Sequence, residues 1–232
     1  MNVRVNQQSP QKAGPLSSLK IEIASPIVII VDDDASVREA LLNLVESAGY
    51  RATCFASTSE LLEADVVDNP GCLILDVRMP GKNGLDLQNH LAERGNQKPI
   101  IFLTGHGDIP MTVQAMKAGA VDFLTKPVRD QTLLDAISLG IAMDAERRAE
   151  AKIVSKNVKR LETLTLRERQ VLHEVAIGRV NKQIAFDLGI SEVTVKLHRS
   201  NVMRKMEAKS IGELIRAWET IPAEMRGAKV TP

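Results

Sequence analysis

The chain is poor in the residues that staple, span or export a protein. Its 232 residues hold only two cysteines. Cys54 and Cys72 stand far apart and without histidines at ligand spacing, which argues against a disulfide framework or a cysteine metal site and predicts reduced thiols in a cytoplasmic protein. No apolar run approaches the roughly 18 to 20 residues that cross a bilayer, so no membrane partner is expected. The opening stretch, Met1 to Lys20, lacks the apolar segment of a secretory leader. Its Gln, Ser, Asn, Pro and Gly predict a disordered tail over residues 1–24.

What is present is ordinary for a globular protein, 44% hydrophobic and 25% charged, in a chain long enough for two domains. The net charge of +1 hides an asymmetry. Residues 25–140 carry 9 lysines and arginines against 16 aspartates and glutamates, and residues 160–232 carry 13 against 9. An acidic half joined to a basic half predicts two modules with different partners, the basic one a candidate for nucleic acid; unevenly charged solvated surfaces would give the same counts.

The acidic half alternates short apolar strands with helix-length segments. Ile27-Val28-Ile29-Ile30-Val31 is β-branched throughout and ends in Asp32-Asp33-Asp34. Val37, Leu41, Leu42, Leu44 and Val45 then recur at helical spacing. Arg51 to Phe55 predicts a weaker outer strand, and Leu73-Ile74-Leu75-Asp76 one buried on both faces, stopped by Met79-Pro80-Gly81. Ile100 to Thr104 and Ala120 to Pro127 carry the last two, with a helix over Ile109 to Ala118 between them. The pattern predicts an α/β fold, a doubly wound five-stranded parallel sheet with helices on both faces.

Parallel strands would bring Asp32, Asp33, Asp76, Thr104 and Lys126 to the carboxyl edge of that sheet, where ligands sit in such folds. Three crowded carboxylates repel unless a cation joins them, and an oxygen-only set selects a hard ion, with Mg²⁺ fitting best. Asp76 could then attack phosphorus to give an acyl phosphate, while Lys126 and the Thr104 hydroxyl meet the phosphoryl oxygens. Taken singly, each residue has a plainer role: a helix cap for the aspartates, a strand position for Thr104, a solvated charge for Lys126.

Residues 26 to 140 resemble the receiver domain of two-component response regulators. Thr104-Gly105-His106-Gly107-Asp108, Ala115-Met116-Lys117-Ala118-Gly119-Ala120 and Asp122-Phe123-Leu124-Thr125-Lys126-Pro127 are similar to the FixJ-like branch. The resemblance implies that Asp76 is the phosphoacceptor and that Asp32 and Asp33 form an acidic pocket. It also implies that Mg²⁺ binds Asp33, Asp76 and the main-chain carbonyl of Arg78, and that Lys126-Pro127 is a cis bond. Phe123 matches the family's aromatic switch position, a core phenylalanine being the plainer reading. Arg78, Lys82 and Asn83 flank the pocket where the family varies.

From Asp130 to Leu161 there is no proline and one glycine, amid abundant Ala, Leu, Glu, Arg and Lys. This predicts that the last receiver helix runs on as a linker helix able to form a dimerising coil, with a flexible charged linker as the competing reading. The receiver is placed at 25–141, the linker at 142–162 and a carboxy-terminal domain at 163–232. In that domain Thr165 and Glu168 form a capping-box pattern, and Asn181 to Leu188, Gly189 and a helix capped by Ser191 give the helix-turn-helix layout. Val193, Val195, Val202, Met203 and Met206 are expected on its buried side.

Residues 163 to 218 look like a LuxR-type DNA-binding domain through Leu164-Thr165-Leu166-Arg167-Glu168, Asn181-Lys182-Gln183-Ile184-Ala185 and Ser191-Glu192-Val193-Thr194-Val195-Lys196-Leu197-His198-Arg199. By position, the resemblance implies that Lys196, Leu197 and Ser200 face base edges and that Lys182, Thr194, Arg199 and Lys205 contact phosphates. His198 suits packing or contact equally. Ile211, Leu214, Ile215 and Trp218 mark a further helix.

Together the resemblances imply a DNA-binding transcription regulator of the NarL/FixJ type, not an enzyme. A sensor histidine kinase would phosphorylate it with Mg²⁺, and the product would form a homodimer on double-stranded DNA, with RNA polymerase as a further partner. Two other readings use the same residues. A haloacid-dehalogenase-like phosphohydrolase needs a carboxylate two residues after its nucleophile, where this chain has Arg78. A receiver-like module that never takes phosphate would bind DNA constitutively.

Overall fold

The computed structural model describes residues 25–81, 83–105 and 108–226. The expected amino-terminal tail, Lys82, His106 and Gly107 lie outside them.

The first module alternates strand and helix: β1 Ile27–Val31, α1 Ala35–Ser47, β2 Arg51–Phe55, α2 Thr58–Glu63, β3 Gly71–Leu75, α3 Gly84–Glu93, β4 Ile100–Thr104, α4 Ile109–Lys117 and β5 Asp122–Thr125. The strands form one parallel sheet in the order β2-β1-β3-β4-β5. Every residue of β3 and β4 is buried, as expected for central strands covered on both faces. Side chains alternate between two cores. Ile29, Val31, Leu73, Leu75 and Phe102 pack with α2, α3 and α4, whereas Val28, Ile30, Ile74, Ile101 and Leu103 pack with α1 and the next helix.

Two glycines fix the approach of chain to chain. A Cβ on Gly71, where φ is +125°, would lie 2.0 Å from the Ile27 carbonyl oxygen, so the start of β3 can lie against β1 only as glycine. A Cβ on Gly84 would lie 2.4 Å from the Asp76 carbonyl oxygen, so glycine lets α3 begin beside the end of β3.

Helix α5, Asp130–Glu162, runs unbroken for 33 residues. Its first half covers the sheet through Leu133, Ala136 and Ile137. Beyond residue 141 it stays tied to the receiver: Asp144, 1% exposed, accepts the Gly71 N–H at 2.9 Å and pairs with Arg147 at 2.5 Å and Arg148 at 2.6 Å. Arg148 also donates to the carbonyls of Asp68 and Asn69. Residues 149 to 153 are all exposed. They cover more than one turn, so here the helix stands alone in solvent.

The end of α5 belongs to a second core. Leu161 and Leu164 pack with α6 Leu166–Ala176, α7 Asn181–Leu188, α8 Glu192–Lys205 and α9 Ile211–Thr220. Asn157 donates to Thr220 at 2.9 Å, and Arg160 pairs with Glu207. A short helix, α10 Ala223–Arg226, follows. Thr165 and Glu168 close the capping box of α6, and Ser191 caps α8 through the Thr194 N–H. Among the described residues no helix is long and apolar enough to cross a membrane.

Candidate functional site

The sheet order reverses between β1 and β3, and the crevice at such a switch point is where α/β sheets bind ligands. Asp32 follows β1 and Asp76 follows β3, with the Asp76 N–H donating to the Val31 carbonyl at 2.9 Å. The oxygens of Asp32, Asp33 and Asp76 lie within 4.8 Å of one another. Asp32 is 2% and Asp76 8% exposed, while Asp33 faces solvent.

Lys126, just past β5, reaches across this group. Its amine lies 2.5 Å from Asp32 Oδ2 and 2.9 Å from Asp76 Oδ2, and its own N–H donates to the Thr104 carbonyl at 2.9 Å. That bond ties the lysine to the end of β4, where Thr104 is fully buried. The following peptide, Lys126-Pro127, is cis. Burial pulls the Lys126 pKa down, but hydrogen bonds to Asp32 and Asp76 outweigh it and hold the amine above its ordinary value. Burial raises Asp32 against the opposing bonds from Lys126 and the Asp34 N–H.

Smaller contacts set the orientation. Asp32 Oδ1 accepts the Asp34 N–H, Asp34 caps α1, and Arg38 holds the Asp32 carbonyl at 2.6 Å. Asp76 Oδ1 accepts the Arg78 N–H at 3.1 Å, which leaves Oδ2 to the lysine. Phe123 on β5 is half-buried, its ring 5.8 Å from that of Phe102. Among the described residues the cluster is made of three carboxylates, with no histidine or cysteine in it, a set that fits a hard divalent cation such as Mg²⁺.

The second site is the outer surface of α7 and α8. Lys182, Lys196, Leu197 and Ser200 are exposed, and Thr194 is half-buried. Arg179, Lys182, Lys196 and Arg199 line an open groove of about 820 Å³ between α7, α8 and α9. Arg199 is held by Asn181 at 2.7 Å. Lys205 points the other way, its amine bonded to Glu168 at 2.6 Å and to the Thr163 carbonyl at 3.1 Å. His198 is half-buried.

One expectation is corrected. Val193, placed with the core from sequence, is 75% exposed. Val195 two positions on is fully buried, and residues two apart on a helix point about 200° apart, so both cannot face the same core. The Asp144 cluster and Arg179 carry no signal in the sequence: Asp144 meets Gly71 from 73 positions away, and Arg179 joins the groove only through the packing of α7 and α8.

The chain matches the response regulator receiver domain over residues 28–138 and the luxR family of bacterial regulatory proteins over residues 162–218. It is 50% identical over 195 residues to Nodulation protein W of Bradyrhizobium diazoefficiens, covering 84% of this chain and 86% of that one. It is 46% identical over 189 residues to Transcriptional regulatory protein FixJ of Azorhizobium caulinodans, covering 82% and 90%. Among solved structures, response regulator StyR superposes with a TM-score of 0.76 at 49% identity, covering 84% of this chain and 99% of that one. A receiver sheet, a long α5 and a LuxR-type helix-turn-helix domain, with these relatives, establish that the chain belongs to the NarL/FixJ family of transcriptional response regulators.

Proposed function

We propose that this regulator is switched by phosphorylation of Asp76, with Mg²⁺ held by Asp33, Asp76 and the main-chain carbonyl of Arg78. The observation that carries the reading is the Lys126 amine lying between Asp32 and Asp76 at the sheet's switch point. Mg²⁺, when bound, draws negative charge from the incoming phosphoryl group.

Asp76 acts as nucleophile: one carboxylate oxygen forms the bond to phosphorus while the bond to the donor, a kinase phosphohistidine nitrogen or acetyl phosphate oxygen, breaks. Lys126 follows the new charge from the aspartates to a phosphoryl oxygen, and the Thr104 hydroxyl donates to another. Because Lys126 and Thr104 are joined through their main chains, both movements pull on the ends of β4 and β5, and Phe123 shifts with them.

The surface that would read this movement is α4. Ile109, Val113 and Met116 are 81%, 45% and 44% exposed and recur at i, i+4 and i+7, an apolar stripe suited to a second copy of the chain. The dimer brings two α8 helices to half-sites one helical turn of DNA, or a multiple, apart. Lys182, Thr194 and Arg199 meet phosphates, Lys196, Leu197 and Ser200 meet bases, and RNA polymerase is the downstream partner. Sedimentation of wild type and Asp76→Asn with acetyl phosphate and Mg²⁺ tests the switch: the wild type becomes a dimer and the variant stays a monomer. A variant that dimerises equally contradicts it.

A further inference from the structure

Recognition helix α8 carries two large apolar side chains that the protein leaves uncovered. Val193 is 75% and Leu197 61% exposed, while Val195 and Val202 of the same helix are 0% and 1% exposed. Val193, Lys196, Leu197 and Ser200 recur at i, i+3, i+4 and i+7, so they form one stripe, and all four are exposed. The stripe adjoins the groove lined by Arg179, Lys182, Lys196 and Arg199.

The groove holds four cations against one carboxylate, Glu192, so an apolar protein surface docked on the stripe would bury the Lys196 charge at a cost. The stripe does suit the DNA major groove. There phosphates meet the cations at the walls, and the floor offers one apolar feature, the thymine 5-methyl group.

We infer that Val193, together with Leu197, packs against thymine 5-methyl groups, which makes Val193 a specificity-determining residue for the operator. The inference rests on the DNA-binding reading and adds the chemistry of the bases read. Four residues at a rise of 1.5 Å separate the two side chains by about 6 Å along the helix, close to two base-pair steps of about 3.4 Å. Lys196 lies between them along the axis, where a lysine selects guanine through O6 and N7. The half-site therefore holds thymines within reach of Val193 and Leu197 and a guanine within reach of Lys196.

The test uses the full chain, treated with acetyl phosphate and Mg²⁺, to select its preferred site from random duplex DNA. Each thymine of the selected half-site is then replaced singly by uracil, which lacks only the methyl group. Affinity is measured for wild type, Val193→Ala and Leu197→Ala, all at exposed positions that leave the fold intact. Two uracils should each weaken wild type by about 3- to 10-fold. One should be silent in Val193→Ala and the other in Leu197→Ala. If no uracil weakens wild type, or Val193→Ala responds to every uracil as wild type does, the inference is wrong while DNA recognition stands. A chain that selects no sequence overturns both.

Discussion

The amine of Lys126 lies 2.5 Å from Asp32 Oδ2 and 2.9 Å from Asp76 Oδ2, joining residues 94 and 50 positions away in the chain. Its single charge offsets part of the repulsion between two carboxylates that are each less than a tenth exposed. Without it they repel in a setting where neither charge is well solvated. Lys126→Met should therefore slow phosphoryl uptake from acetyl phosphate at least about tenfold, and the labelled chain should remain a monomer in sedimentation. A variant that dimerises like wild type would separate the lysine from the switch.

Mg²⁺ should stabilise the folded receiver, because the three clustered aspartates exist as a cluster only when folded. At a concentration about 100-fold above its dissociation constant, one bound ion adds about 2.7 kcal/mol. Thermal unfolding followed by circular dichroism, with and without Mg²⁺, should show an upward shift for wild type that is lost in Asp33→Asn. An equal shift in that variant would remove Asp33 from the metal site.

Asp144 is the keystone of the α5 attachment: its removal orphans the buried Gly71 N–H, takes the partner from Arg147 and leaves Arg148 with only the Asp68 and Asn69 carbonyls. Asp144→Ala should cost about 3 kcal/mol in urea unfolding. The pH dependence has a definite sign. Burial pushes the Asp144 pKa up, but the Gly71 N–H, Arg148 and Arg147 together hold it below the ordinary carboxylate value. On acidification the unfolded chain takes up this proton before the folded one, so the contribution is intact above the unfolded pKa and fades as pH falls through the folded pKa. Wild type should lose stability more steeply than Asp144→Asn below about pH 4; parallel curves would place the ion pair outside the acid transition.

Lys182 and Lys205 should separate in a salt titration of DNA binding. Lys182 is exposed beside the groove, so Lys182→Met should lower the slope of log affinity against log salt by about one. Lys205 is committed to Glu168 and Thr163. Lys205→Met should leave the slope unchanged and instead lower the thermal stability of the carboxy-terminal domain, read by Trp218 fluorescence. A reduced slope in Lys205→Met would return that lysine to the DNA.

The receiver pocket was legible because its residues stand where apolar runs are punctuated. Asp32 and Asp33 end a β-branched run, Asp76 precedes Met79-Pro80-Gly81, and Lys126 precedes Pro127. Helices α2 and α3 were less so, since their apolar stripes are short. Asp144 was hidden because an aspartate in an Ala-rich helix reads as solvated, and its partner Gly71 lies 73 positions away. Lys205 reads as one more cation on a basic helix until Glu168, buried by the packing of α6 on α8, is seen to face it. Val193 was misplaced although its spacing to Val195 already forbade a shared face.

Reduction of the acetyl phosphate-treated chain with borohydride, followed by peptide mass spectrometry, reads the central claim at a single atom. An acyl phosphate at Asp76 is converted to homoserine at position 76 in wild type, and no homoserine forms in Asp76→Asn. Homoserine at another aspartate, or labelling that persists in Asp76→Asn, would contradict the account.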